Sequence, residues 1–165
     1  MLNINYFLKP LILNPLMYSI CIFMLITGCF SRLHKIENET DWEFYSQRAD
    51  IAPVHWVDGD IVFKNQPTLA LAGEGKAYIN GSWTRLFDVN PGRFYEFKTH
   101  FKTDIRSQID RSVLAQITWL NKAGGRVDYI EYPAFGAIWN NDWSQIRQIY
   151  KVPESTVMAR IDLIL

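Results

Sequence analysis

The chain has 165 residues, about one domain, and balances 17 basic against 17 acidic side chains. At 48% hydrophobic it is not a disordered chain, and zero net charge excludes the basic surplus with which a nucleic-acid binder neutralises phosphates. Aromatic residues make up 15% of the sequence, a high share that a functional reading has to place.

From the N-terminus, residues 1–31 contain one charged side chain, Lys9. The apolar run Leu16-Met-Tyr-Ser-Ile-Cys-Ile-Phe-Met-Leu-Ile26 follows this weakly positive start and precedes Thr27-Gly28-Cys29. That is the three-part layout of a secretory signal. Ile26-Thr27-Gly28-Cys29 resembles the lipobox of bacterial lipoproteins. The resemblance implies that residues 1–28 form a signal helix removed on export, and that Cys29 then carries a diacylglyceryl thioether. Cys21 leaves with such a leader, so Cys29 becomes a lone thiol with no internal disulfide open to it. Each buried acyl methylene contributes roughly 0.8 kcal/mol, so two or three chains anchor a protein stably. The implied location is the cell envelope, lipid-anchored at Cys29. In a Gram-negative source it is the outer membrane, because Phe30 rather than Asp follows the cysteine. Two other readings stay open. One is an uncleaved signal anchor spanning the 17 residues Leu11–Thr27, against which Asn14-Pro15 speaks. The other is an ordinary signal with an incidental cysteine.

Without Lys9 the balance is 16 basic against 17 acidic residues, a net of −1. Residues 29–55 are expected to be a tether, polar and mixed, with three acids in Ile36-Glu-Asn-Glu-Thr-Asp41. Trp42, Phe44 and Tyr45 lead its later half onto the domain of residues 56–165. There Asp58-Gly59, Gly73-Glu-Gly75, Asn80-Gly81, Pro91-Gly92 and Gly124-Gly125 are turn signals. Between them the sequence predicts strands near 60–64, 68–72, 76–80, 83–89, 93–103, 112–121, 126–132, 146–151 and 156–165. Strands at this spacing predict an all-β fold, an antiparallel β-sandwich of jelly-roll type.

Alternation assigns faces. Tyr95, Phe97 and Phe101 share one face, with Glu96, Lys98, His100 and Lys102 opposite. Val113, Ala115, Ile117 and Trp119 lie against Gln116 and Thr118. Val157, Ala159, Ile161, Leu163 and Leu165 lie against Met158, Arg160 and Asp162. One side is expected on the core and the other in water or on a ligand. Glu96, Lys98, Gln116, Thr118, Arg160 and Asp162 are therefore candidate ligand-binding residues, and they equally fit an ordinary solvated face.

Aromatics give a second set of candidates. Trp83, Trp139 and Trp143 are expected at loops or strand ends, and Tyr132 precedes Pro133. Residues 133–145 read as a long loop rich in aromatics and amides, and long ordered loops are often functional. The same tryptophans also suit the core, where large aromatics each bury 150–250 Å² in general.

No segment matches a Walker A loop, a zincin helix or a nucleophile elbow. Gly73-Glu-Gly75-Lys76 reads as a hairpin turn, since Ala77–Gly81 reads as strand. His34, His55 and His100 show no ligand spacing, and no spacing favours a carboxylate pair for glycoside hydrolysis. No catalytic residue, metal or cofactor is nominated.

Phe87-Asp-Val-Asn-Pro-Gly-Arg-Phe-Tyr-Glu-Phe97 resembles the strand pair of galactose-binding-like jelly rolls, the fold of many carbohydrate-binding modules. Arg111 to Gly125 resembles their central strand and turn, and Val152 to Ile161 their closing strand. The segment 60–165 is thus similar to accessory domains of bacterial carbon–nitrogen hydrolases and glycoside hydrolases. Such jelly rolls usually add one more strand, so a final apolar strand ending at Leu165 is expected to leave an open edge unless residues 36–64 pair with it. The implied function is a non-catalytic, sugar-binding lipoprotein. The alternatives are a structural or protein-interaction component of the envelope, or a truncated accessory domain of a larger hydrolase.

Overall fold

The computed structural model of the chain describes residues 2–10, 41–76, 78–104, 112–139 and 143–165. Two antiparallel sheets pack as a sandwich. The six-stranded sheet runs in the order β3 (Val54–Phe63), β4 (Gln66–Ala72), β1 (Leu2–Pro10), β6 (Phe94–Thr103), β9 (Trp143–Lys151) and β8 (Phe135–Trp139). The four-stranded sheet runs β2 (Glu43–Tyr45), β5 (Ser82–Asp88), β10 (Met158–Ile164) and β7 (Leu114–Leu120). The expected all-β sandwich is the fold found.

The alternation seen in the sequence is the packing seen in space. Phe97 and Phe101 of β6 meet Ile117 and Trp119 of β7 and Ile161 and Leu163 of β10 in one core, all of them buried. Local chemistry sets the joints. Lys64 and Asn65 both take positive φ, at 51° and 62°, so a two-residue turn joins β3 to β4. Gly92, at φ +70°, turns the chain between β5 and β6.

Several elements differ from the sequence reading. Asp58-Gly59 does not end a strand. It lies inside β3 at a bulge, where the buried Asp58 Oδ1 accepts from the amides of Asp60 and Ile61, each at 3.0 Å. The strand expected at 76–80 is absent among the described residues there; Ile79 instead covers the backbone of Gly73. Residues 126–132 make only two bridges, Leu120↔Arg126 and Ile117↔Glu131, along the outer edge of β7. The supposed long loop 133–145 contains β8 and the start of β9. Residues 43–45, read as tether, are a strand of the four-stranded sheet. The closing strand β10 is not an open edge, since it pairs with β5 on one side and β7 on the other. Residues 2–10, read as the start of a signal helix, are strand β1, whereas the apolar run 16–26 and Cys29 lie outside the described residues.

Candidate functional site

Register across the four-stranded sheet builds the site. Glu43 pairs with Thr84, Thr84 with Asp162, and Asp162 with Gln116, so four polar residues from four strands form one row. The row beside it holds Tyr45, Ser82 and Ile164, and the row on its other side holds Leu86, Arg160 and Thr118. All belong to the outer face, because the residues between them (Phe44, Trp83, Ile161, Ile117) pack inward on the core.

Asp162 is the hub. It is 7% exposed, and both its oxygens are engaged. Thr84 Oγ1 donates to Oδ1 at 2.7 Å, while Gln116 Nε2 at 3.3 Å and Arg160 Nε at 3.1 Å donate to Oδ2. Gln116 Nε2 also lies 3.4 Å from the buried Thr118 Oγ1. Arg160 is held through Nε alone; among the described residues its two terminal nitrogens make no further hydrogen bond or ion pair. A carboxylate fastened by three donors serves to orient them.

A groove of about 500 Å³ lies over these rows, lined by Glu43, Tyr45, Ser82, Thr84, Gln116 and Arg160 among others. A second recess of about 530 Å³ shares Glu43, Thr84 and Arg160 with it and extends to Asp41, Arg85 and Leu86, so the two form one trough. Tyr45 is 59% exposed and offers a ring at the first recess. Asp41 and Arg85 make an ion pair at 2.6 Å at the far end. The wall under Tyr45 depends on close approach: a Cβ on Gly81 would stand 2.5 Å from Pro53 Cδ and 3.1 Å from the Phe44 ring.

Of the residues singled out from sequence, Gln116, Thr118, Arg160 and Asp162 come together here. Glu96 and Lys98 do not, because β6 belongs to the other sheet; Glu96 pairs there with Arg147. Trp83 is a core residue at 5% exposure, and its Nε1 donates to the Ala70 carbonyl at 3.1 Å. Trp143 is also buried and packs on Phe63 at 4.9 Å, on the six-stranded sheet. Trp139 is the register partner of Trp143 in the β8–β9 hairpin. Tyr132 is exposed and does not line the trough. Glu43, Tyr45, Ser82 and Thr84 were missed. The alternation of Glu43 and Tyr45 around Phe44 was the available signal, but nothing in it says which strand lies alongside.

His100, expected in solvent on a polar strand face, is buried. It stacks on Phe63 at 4.4 Å and accepts from Gln145 Nε2 at 2.9 Å. Burial first, then the positive charges of Lys98 and Lys64, lower its pKa to about 4, so the ring is neutral near pH 7. Among the described residues no three of His, Cys, Asp and Glu stand together as metal ligands.

Fold and trough together define an antiparallel β-sandwich with a polar groove on its smaller sheet. No family model and no curated protein matches the sequence. Among solved structures, the fold is similar to part of the enzymatically active domain of tailspike protein 4 of bacteriophage CBA120, with a TM-score of 0.59. The likeness takes in 76% of this chain and 17% of that chain at 18% identity, so it is one of fold.

Proposed function

We propose that this chain is an exported lipoprotein, anchored at Cys29, whose sandwich binds a carbohydrate in the trough on the four-stranded sheet without transforming it. The row Glu43–Thr84–Asp162–Gln116, with Arg160 beside it, carries this reading. A sugar presents neighbouring hydroxyls that both donate and accept. Here Glu43, Thr84, Asp162 and Gln116 stand on successive strands about 4.8 Å apart, and the Arg160 guanidinium stands in the next row of the same sheet. Tyr45 supplies an aromatic face for an apolar C–H surface, the usual complement to such polar groups in small-molecule sites. A tailspike domain with a similar fold is compatible with this reading. Binding is favoured over hydrolysis because the Asp162 carboxylate is occupied by three donors.

A glycan array followed by titration calorimetry tests the binding. Capture of a glycan that weakens at least tenfold in Arg160→Ala and Tyr45→Ala is expected. Palmitate labelling tests the anchor: label lost in Cys29→Ser supports it, and label retained contradicts it.

A further inference from the structure

The two recesses of the trough share a middle and differ at their ends. Glu43, Thr84 and Arg160 line both. The first recess continues over Tyr45, Ser82 and Gln116, an aromatic ring beside hydroxyl and amide groups. The second continues over Leu86 and Leu120, two leucines on the outward face of the sheet.

Three groups around the middle have bonding capacity left over. Arg160 and Leu86 are register partners on β10 and β5, so their side chains rise on one side of the sheet, about 4.5–5.5 Å apart at Cβ. Asp162 holds Arg160 through Nε, which leaves the two terminal nitrogens as donors beside the leucine. Glu43 stands across from Thr84 and diagonal to Leu86. Among the described residues its carboxylate makes no hydrogen bond or ion pair, whereas Asp41 is paired with Arg85 and Asp162 with Arg160. A leucine that is 53% exposed is ordinary on its own. Beside a free donor fork and a free acceptor it completes a set.

We propose that the trough binds an N-acetylated sugar, within a chain of at least two sugar units, with the acetamido group at the shared middle. This rests on the carbohydrate reading above and specifies which sugar. The acetamido carbonyl accepts from the Arg160 terminal nitrogens, its N–H donates to Glu43, and its methyl lies on Leu86 and Leu120. Other substituents satisfy fewer of these groups. A hydroxyl has no apolar part and leaves the leucines in water. An ammonium suits Glu43 but sets a cation against the guanidinium. A carboxylate suits Arg160 but adds a negative charge to a lining with three acids, Asp41, Glu43 and Asp162, against two bases, Arg85 and Arg160. The neutral amide alone donates, accepts and presents a methyl. Each recess, at about 500 and 530 Å³, is by itself in the general size range of small-molecule pockets, hence at least two units.

The test is an array of matched di- and trisaccharides that differ only in carrying acetamido, hydroxyl or amino at one carbon, diacetylchitobiose, cellobiose and the deacetylated chitobiose among them. The strongest binder and its two counterparts are then titrated by calorimetry against the parent chain and Leu86→Asn, with thermal melts as the control for folding. The expected result is at least tenfold tighter binding of the acetamido member by the parent. In Leu86→Asn that preference falls below about threefold, while affinity for the hydroxyl member stays within twofold. Equal or tighter binding of the hydroxyl or amino member would overturn the proposal, as would a preference undiminished in Leu86→Asn. Should Leu86→Asn fail to fold, the comparison of the three glycans on the parent decides alone. Glycans held without regard to acetamido, and lost in Arg160→Ala and Tyr45→Ala, leave the carbohydrate reading standing and remove this one. Retention of no glycan removes both.

Discussion

Thr84 Oγ1 donates a 2.7 Å hydrogen bond to Asp162 Oδ1 across a sequence separation of 78 residues, a side-chain contact added to the β5–β10 strand pairing beneath the trough. Hydrogen bonds to charged groups contribute about 1.5–3 kcal/mol. Thr84→Val is expected to lower stability by about 1–2 kcal/mol in urea unfolding. Asp162→Asn places an amide nitrogen or a neutral oxygen where Gln116 and Arg160 now donate, so Arg160 loses its anchor. Glycan affinity is expected to fall about tenfold or more by calorimetry with the sandwich still folded.

Trp83 and Tyr45 separate stability from binding. Trp83→Ala opens a void and removes the hydrogen bond to the Ala70 carbonyl, for an expected loss of about 3–5 kcal/mol. Tyr45→Ala removes an exposed ring and is expected to change stability by less than about 0.5 kcal/mol while weakening ligand binding. Paired thermal melts and titrations check both.

Gly81→Ala drives a methyl to 2.5 Å from Pro53 Cδ, a contact that requires the backbone to shift. An expected loss of about 1–3 kcal/mol comes with displacement of β2. The amides of residues 43–45 should then exchange faster than in the parent protein, while those of β10 should not.

His100 makes stability pH-dependent in a defined window. Its pKa falls from 6.5 to about 4 on folding. Between those values the unfolded chain binds a proton that the folded chain does not, so stability falls as pH drops from about 6.5 to 4 and is flat in this respect below. The total is on the order of 3 kcal/mol. In denaturant titrations from pH 7 to 4, His100→Gln is expected to lose correspondingly less stability than the parent.

The strands legible in the sequence were those with unbroken alternation. β10 reads Ala159, Ile161 and Leu163 against Arg160 and Asp162, and the sheet keeps that division. β5 was harder, because its inward row includes Arg85, held by Asp41 and lying 4.8 Å over the Phe87 ring, while Leu86 faces out at 53% exposure. That inversion hid Thr84 and made Trp83 look available. β8 was hidden by Pro133, Gly136 and the sequence Asn140-Asn141-Asp142, residue types that punctuate like a loop. Half of the trough was readable because β7 and β10 each show a polar face. The other half needed the β2–β5 register, a long-range pairing that no local pattern specifies.

On the proposed function, a carbohydrate binds in the trough and not at the aromatic strands β8 and β9. One measurement addresses it directly: calorimetric titration of a glycan identified on an array against Arg160→Ala, Tyr45→Ala and Trp139→Ala, each confirmed folded by its thermal melt. Binding at least tenfold weaker in the first two and unchanged in the third is expected. Full affinity in the trough variants with loss in Trp139→Ala would contradict it.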